Sequence, residues 1–169
     1  MAPPRRRPGA RGKAAIVTAY IAGNGEGDRI LEVDGHITDR TVLAGQVLSC
    51  FDWSGERSRL VTTDLEFPTC DYLYRATETL GAKVEAVPSR DLTVDTERLL
   101  EAIDERTALV AVTHVAFRSS ALLDAAAVAA RAHEVGALVL LDTYQSAGTV
   151  PIDVGELGVD LVVGGSVKW

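Results

Sequence analysis

Short, almost continuously apolar runs recur along the chain between segments of helical spacing, and this rhythm restricts the possible folds. The clearest runs are TALVAVTHV (107–115), ALVLLD (137–142) and DLVVGG (160–165). A strand that is apolar at consecutive positions is buried on both faces, as in a parallel sheet covered by helices. The sequence therefore predicts an α/β fold with three layers (αβα), in which a mostly parallel sheet lies between two layers of helices.

Two further strands and several helices complete this alternation. The strands are predicted at 59–64 and 83–88, and the helices at 41–53, 68–81, 93–104 and 122–136, with a short helical turn at 153–159. Pro68 is tolerated in a first helical turn, Asp95 or Thr93 would cap the third helix, and Gly81 and Gly136 are typical of helix ends.

The first part of the chain does not follow this alternation. The segment NGEGDRILEVDGHITDR (24–40) would hold one strand and a loop, and the head MAPPRRRPGARGK is rich in Pro, Gly and Arg. Such a composition is typical of disorder. We therefore predict a disordered or atypical segment at 1–36 and a single domain over 37–169.

The distribution of charge and cysteine restricts the partners. The net charge is −7, but the first thirteen residues hold five basic side chains and no acid, so the remainder has 12 basic against 24 acidic residues. This acidic body argues against nucleic acid. No segment is long enough to span a membrane, and no convincing signal-peptide cleavage site follows the first apolar stretch. Cys50 and Cys70 lack metal-ligand spacing, so we expect free thiols, no metal site and a cytoplasmic protein.

Polar and aromatic side chains follow the predicted strands at their carboxyl ends, where open α/β sheets bind ligands. Asp142, Lys168, His114 and Phe67 each lie at or just beyond such an end. Each also has a purely structural interpretation. Asp142 would be a turn or capping residue, Lys168 a solvated lysine, His114 a hydrogen-bonded strand-end histidine and Phe67 a core aromatic.

Asp142 and Lys168 become more informative as a pair, because they end consecutive strands. A lysine amine beside apolar and glycine-rich chain loses its proton readily and then forms a Schiff base with an aldehyde. An acid opposite would keep a pyridine nitrogen protonated and make that ring an electron sink. These are the two requirements of pyridoxal 5'-phosphate chemistry.

The words TTDLEFPT, THVAFRSS and HEVGALVLLDTYQSAGTVPIDVGELGVDLVVGGSVKW extend this interpretation. Over about 51–169 the chain resembles the class V aminotransferases, fold-type I pyridoxal-phosphate enzymes that include cysteine desulfurases, isopenicillin N epimerase-like proteins and kynureninases. The resemblance implies that Lys168 forms the Schiff base and that Asp142 pairs with the pyridine nitrogen. It also implies that Gln145 faces the 3-hydroxyl side, Ser166 binds the phosphate and Phe67 stacks on the ring.

The chain also departs from both named patterns. Val167 stands where kynureninases have tyrosine and desulfurases have histidine, and Gln145 stands where kynureninases have histidine. Cys70 replaces a kynureninase acid, and Phe117 replaces a desulfurase asparagine. The resemblance therefore does not select transamination, desulfuration, epimerisation or elimination.

The resemblance further implies a small-molecule amino-acid substrate and a homodimeric full-length parent. The family continues beyond its Schiff-base lysine, so we expect 37–169 to be a partial large domain, incomplete on its C-terminal side. Two alternatives stay open. The chain would be a catalytically inactive remnant or association fragment, or an α/β nucleotide-binding domain, although Gly164 and Gly165 do not form a dinucleotide-binding fingerprint.

Overall fold

The computed structural model describes residues 18–21, 29–32 and 40–165. The first two segments are strands β1 (Thr18–Ile21) and β2 (Arg29–Glu32), which pair with each other in antiparallel orientation. β2 lies in the segment for which one strand was predicted. The prediction of a disordered or atypical segment over 1–36 otherwise falls outside the described residues and stays a prediction.

From residue 40 onward, helices and strands alternate. The helices are α1 (Arg40–Leu48), α2 (Pro68–Ala76), α3 (Thr96–Ala102), α4 (Ala125–Glu134) and α5 (Val154–Leu157). The strands are β3 (Arg59–Thr63), β4 (Lys83–Val87), β5 (Thr107–Thr113), β6 (Leu138–Asp142) and β7 (Leu161–Val163). Each predicted element between 41 and 165 is present, and most differ from prediction by one to three residues at their ends.

The five later strands form one sheet in the order β4-β3-β5-β6-β7, and every neighbouring pair is parallel. The chain first steps from β3 outward to β4 and then returns past β3 to β5. The strand order therefore reverses between β3 and β5. In an open α/β sheet such a switch point opens a crevice at the carboxyl ends of the strands.

The two faces of the sheet bury separate hydrophobic cores. Alternate residues of the central strands face opposite sides, with Val110 and Leu141 on one side and Leu109 and Leu140 on the other. The first core is covered by α3, α4 and α5, and the second by α1 and α2. This arrangement confirms the predicted α/β architecture with a mostly parallel sheet between helical layers.

Helix ends follow local chemistry. The carboxylates of Asp95, Asp124 and Asp153 accept backbone N–H groups at the starts of α3, α4 and α5, which satisfies donors that lack intrahelical partners. A 3-10 turn (Thr77–Leu80) extends α2 and ends at Gly81, whose φ is +105°. The cap predicted at Asp95 and the stop predicted at Gly81 are thus both present.

Helix α1 is shorter than the predicted 41–53. The indole Nε1 of Trp53 donates to the carbonyl of Leu48 at 3.0 Å, and Trp53 itself is buried in the second core. The chain must turn back after Leu48 for Trp53 to reach the core and for its indole N–H to bond the Leu48 carbonyl. The helix therefore ends at Leu48. None of the helices in the described part of the chain is long and apolar enough to cross a membrane.

Candidate functional site

The carboxyl ends of β3, β5 and β6 meet on one edge of the sheet, at the switch point. Beyond β3 the chain continues through Glu66 and Phe67 into α2, and beyond β5 it continues through His114. β6 ends at Asp142, whose backbone carbonyl accepts the N–H of His114 at 2.9 Å. The parallel sheet thus brings together polar and aromatic residues that are up to 76 positions apart in sequence.

Asp142 is the buried anion at the centre of this edge, with 2% of its surface exposed. Its Oδ1 accepts the backbone N–H of Tyr144 at 2.8 Å, and its Oδ2 lies 3.2 Å from Nε of Arg40. The thiol of Cys70 points to the same Oδ2 over a longer 3.9 Å. Burial raises the pKa of Asp142 above its usual range, while Arg40 and the Tyr144 N–H act in the opposite direction.

Arg40, the first residue of α1, lies between Asp142 and two aromatic rings. Its Cζ is 4.6 Å from the ring centroid of Phe67 and 4.4 Å from that of Tyr144. Both distances are within the range of cation–π attraction. We refer to the space bounded by Asp142, Phe67 and Tyr144 as the ring slot. Its occupant in the structure is a planar cation that is bonded to a carboxylate.

Phe67 is a wall of this slot. It is 37% exposed, and its ring meets that of Phe117 edge-on at 5.2 Å. Its backbone is extended because it precedes Pro68, which starts α2. Phe67 therefore lies outside both buried cores, at the carboxyl edge of the sheet, and its stacking on a cofactor stays a prediction.

Glu66 lies beneath the slot and is almost completely buried, at 4% exposure. Its Oε1 accepts the Thr113 backbone N–H at 2.9 Å and the Thr63 hydroxyl at 3.0 Å, so this carboxyl joins the ends of β3 and β5. Burial raises the pKa of Glu66 to about 8, and the nearby Asp142 charge raises it further than Arg40 lowers it. Glu66 is therefore mostly neutral near pH 7, which leaves Asp142 as the acceptor of the slot.

Three buried polar atoms have no hydrogen-bond partner among the described residues: Thr62 Oγ1, Glu66 Oε2 and the Tyr74 hydroxyl. Burial also raises the pKa of Tyr74 well above its ordinary value and that of the Cys70 thiol to about 11. Tyr74 and Cys70 are therefore neutral neighbours of Asp142. The floor of the site contains protonated, weakly polar groups, which strengthens any charge interaction made by Asp142.

His114 and Gln145 lie beside the slot in different settings. His114 is buried, its Nδ1 is 3.0 Å from the hydroxyl of Ser146, and burial lowers its pKa. It is thus a hydrogen-bonded strand-end histidine. Gln145 is half-buried in the turn after β6, and its side chain has no hydrogen bond to the part of the chain that the structure describes.

The end of β7 approaches this turn closely. Thr143 donates its N–H and its hydroxyl to the carbonyl of Val163, at 2.7 and 3.1 Å. A Cβ on Gly164 would lie 2.7 Å from Thr143 Oγ1, and one on Gly165 would lie 2.7 Å from the Tyr144 ring. Glycine is therefore required here for close approach. The two remaining predicted site residues, Ser166 and Lys168, lie outside the described residues.

Arg40, Tyr144 and Glu66 were not predicted from the sequence. Arg40 and Tyr144 carry no local signal, because Arg40 opens a helix and Tyr144 follows a strand in an ordinary turn. Glu66 had a signal in the sequence, because this acid stands between a β-type run and the apolar residues Phe67 and Pro68, where burial is expected. The sequence predicts a free thiol at Cys70 but not its contact with Asp142, which depends on the docking of α2.

A buried carboxylate and a cluster of aromatic rings at the switch point of a parallel sheet make the carboxyl edge of this α/β domain its candidate ligand site. Residues 42–169 match the model of the family described as aminotransferase class V. The chain belongs to this family.

Two curated relatives illustrate the range of the family. The chain is 32% identical over 133 residues to an uncharacterized aminotransferase, YcbU, of Bacillus subtilis (strain 168), which covers 79% of this chain and 34% of that protein. It is 36% identical over 116 residues to a kynureninase of Pseudomonas fluorescens, which covers 69% of this chain and 27% of that protein. The chain spans about a third of the length of the relatives that it matches.

Solved structures show the same fold. The cysteine desulfurase CsdA of Escherichia coli superposes with a TM-score of 0.69 at 22% identity, over 75% of this chain and 33% of that chain. The cysteine desulfurase of Thermococcus onnurineus NA1 superposes with a TM-score of 0.66 at 23% identity, over 75% and 32% of the two chains. At these identities the similarity establishes the fold alone.

Proposed function

We propose that this chain binds pyridoxal 5'-phosphate in the ring slot and acts on an amino-acid substrate through Lys168. The observation that carries the proposal is the occupant of the slot. A planar cation forms an ion pair with buried Asp142 and lies against Phe67 and Tyr144. A protonated pyridine ring makes the same demands: an anionic acceptor for its N–H and an aromatic surface. The carboxylate and the aromatic rings of the slot therefore fit the pyridine ring of the cofactor.

Each residue has a defined part in this proposal. Asp142, fixed by the Tyr144 N–H, would accept the pyridinium N–H, and Phe67 would stack on the ring. Neutral Glu66 would join the end of β3, which leads to Phe67, to the end of β5, the neighbour of the strand that ends at Asp142, without adding a second charge. When bound, the cofactor would supply an electron sink for the substrate's Cα.

Lys168 would attach the cofactor through its amine and move the substrate proton, and Ser166 would bind the phosphate. The approach of Gly165, three residues before Lys168, to the Tyr144 ring supports this assignment. Gln145 would approach the ring from the turn after β6. The departures at Val167, Gln145 and Cys70 leave the reaction type open, so the proposal is confined to cofactor attachment and an amino-acid substrate.

The lysine content of the chain makes the test simple, since Lys13, Lys83 and Lys168 are the only lysines. The purified chain is incubated with pyridoxal 5'-phosphate, its visible absorbance is recorded, and the adduct is reduced with borohydride and located by mass spectrometry. We expect a visible band and one adduct on Lys168, both lost in Lys168→Arg and both retained in the control Lys83→Arg.

Two results would contradict the proposal. Adducts distributed equally over the three lysines would mean surface chemistry without a site. Absence of any band or adduct would leave the chain as a family member that does not hold the cofactor, in agreement with the inactive alternative.

A further inference from the structure

The proposed function gives no role to Arg40, a charged residue of the site. Arg40 is only 6% exposed, although arginine is rarely buried to this extent unless it is paired. Its partners are those of the slot itself: Asp142 Oδ2 at 3.2 Å from its Nε, and two ring centroids within 4.6 Å of its Cζ.

A bound ring would meet Arg40 at each of these contacts. Oδ1 of Asp142 already accepts the Tyr144 N–H and Oδ2 already pairs with Nε of Arg40, so a pyridinium N–H would meet a competing cation at this carboxylate. The ring would also need the space between the aromatic walls that the guanidinium fills. The alternatives around Asp142 are poor, because the nearby Cys70 thiol is a weak donor 3.9 Å away.

We propose that Arg40 is a cationic placeholder for the cofactor ring. Its guanidinium keeps Asp142 paired and the slot formed in the absence of the cofactor, and it must leave the slot for the ring to bind. This inference rests on the proposed function. Cofactor binding then exchanges one planar cation for another at the same carboxylate.

The exchange has a measurable consequence for affinity. Only the fraction of molecules in which Arg40 has left the slot can bind, so the apparent affinity is reduced by that fraction. Shortening or neutralising the Arg40 side chain removes the competitor and should tighten binding. If Arg40 were instead a direct ligand of the cofactor, the same change would weaken binding.

The decisive comparison uses Arg40→Met, which keeps an apolar stem of similar length and removes the charge. Arg75→Met is the matched control, since Arg75 is 51% exposed and pairs with Asp71 on α2. The dissociation constants of pyridoxal 5'-phosphate and of pyridoxamine 5'-phosphate, which has no aldehyde to attach to a lysine, are measured by spectroscopic titration at pH 7.5. We expect both to bind at least tenfold more tightly to Arg40→Met than to the wild type, and Arg75→Met to differ from the wild type by less than twofold.

The outcomes separate this inference from the proposed function. If the wild type and Arg40→Met both fail to bind either compound, the proposed function fails and the placeholder fails with it. If the wild type and Arg40→Met bind the compounds with equal affinity, or if the variant binds them more weakly, the proposed function stands and the inference about Arg40 is overturned.

A measurement on the wild type covers the case in which Arg40→Met does not fold. The Nε–H of Arg40 is buried and paired with Asp142, so it should exchange slowly with solvent and give a distinct NMR signal. We expect saturating pyridoxamine 5'-phosphate to shift this signal and to accelerate its exchange at least tenfold. An unchanged, protected Arg40 signal in the saturated protein would overturn the inference.

Discussion

At the scale of single residues, the site depends on which of its buried groups carries the charge. Asp142 has a cation and a backbone N–H to stabilise its anion, whereas Glu66 receives two neutral donors on one oxygen and none on the other. Two adjacent buried carboxylates cannot both ionise without a large cost. The partners therefore select Asp142 as the anion and Glu66 as the neutral member.

Glu66 should make the stability of the chain depend on pH. Its pKa is raised from 4.5 to about 8 in the fold, so between these values the folded chain retains a proton that the unfolded chain has released. Stability from this group is complete below about pH 4.5 and is lost as pH rises to about 8, at about 1.4 kcal/mol per pH unit within the window.

The isosteric variant Glu66→Gln isolates this effect, because its amide oxygen can still accept from Thr113 and Thr63. Urea denaturation from pH 5 to 8.5 should show the variant gaining stability relative to the wild type as pH rises. A difference between the two proteins that is independent of pH would mean that Glu66 does not titrate in this window.

At the scale of elements, backbone geometry decides where helices stop. α1 ends at Leu48 because Trp53 returns to bond its carbonyl, and the α2 segment ends at Gly81 in a left-handed conformation. At Gly81 a Cβ would lie 2.8 Å from the backbone carbonyl oxygen of Trp53. Gly81 therefore packs closely against the backbone of Trp53, in the segment that follows α1.

Gly81→Ala tests the close contact between Gly81 and the Trp53 backbone. The variant combines a positive φ with a backbone clash, and we expect it to lower the free energy of unfolding by about 1–3 kcal/mol. Gly55→Ala is the control, because a Cβ at Gly55 meets nothing within 4 Å and its φ is not left-handed. The control should stay within about 0.5 kcal/mol of the wild type in chemical denaturation. An equal loss of stability in both variants would mean that the fit of Gly81 against Trp53 does not matter for stability.

At the scale of the whole molecule, a single parallel sheet separates two cores that do not share residues. The carboxyl ends of its strands form the site, so the packing on both faces sets the geometry of the crevice. Solved structures agree with this layout, since two of them, with TM-scores of 0.66 and 0.69, each cover three-quarters of the chain.

The independence of the two cores is testable with Leu43→Ala on α1 and Val128→Ala on α4. Each removes fully or almost fully buried side-chain volume from a different core, and each should lower the free energy of unfolding by at least about 1 kcal/mol. In the double variant the two losses should add within about 0.5 kcal/mol. A larger deviation from additivity, measured by denaturation under identical conditions, would mean that packing on one face of the sheet affects packing on the other.

Much of the fold was predictable because its signals are local. Consecutive apolar residues in 107–115 and 137–142 require burial on both faces, and the capping and stop residues Asp95 and Gly81 act within one turn of their own position. The helix after Arg40 was predicted too long, since its end depends on a tertiary hydrogen bond from Trp53.

The site divides in the same way. The position of Asp142 at the end of a buried strand, and of Phe67 before a proline-started helix, could be predicted from the residues alone, because both follow from strand burial and backbone restriction. The contacts of Arg40 in the slot, of Glu66 with two strand ends and of Tyr144 as a wall arise only from the tertiary fold. Arg40 is 27 positions from Phe67 and 104 from Tyr144, and Glu66 is 47 from Thr113, so these contacts exist only once the sheet order has brought the strand ends together.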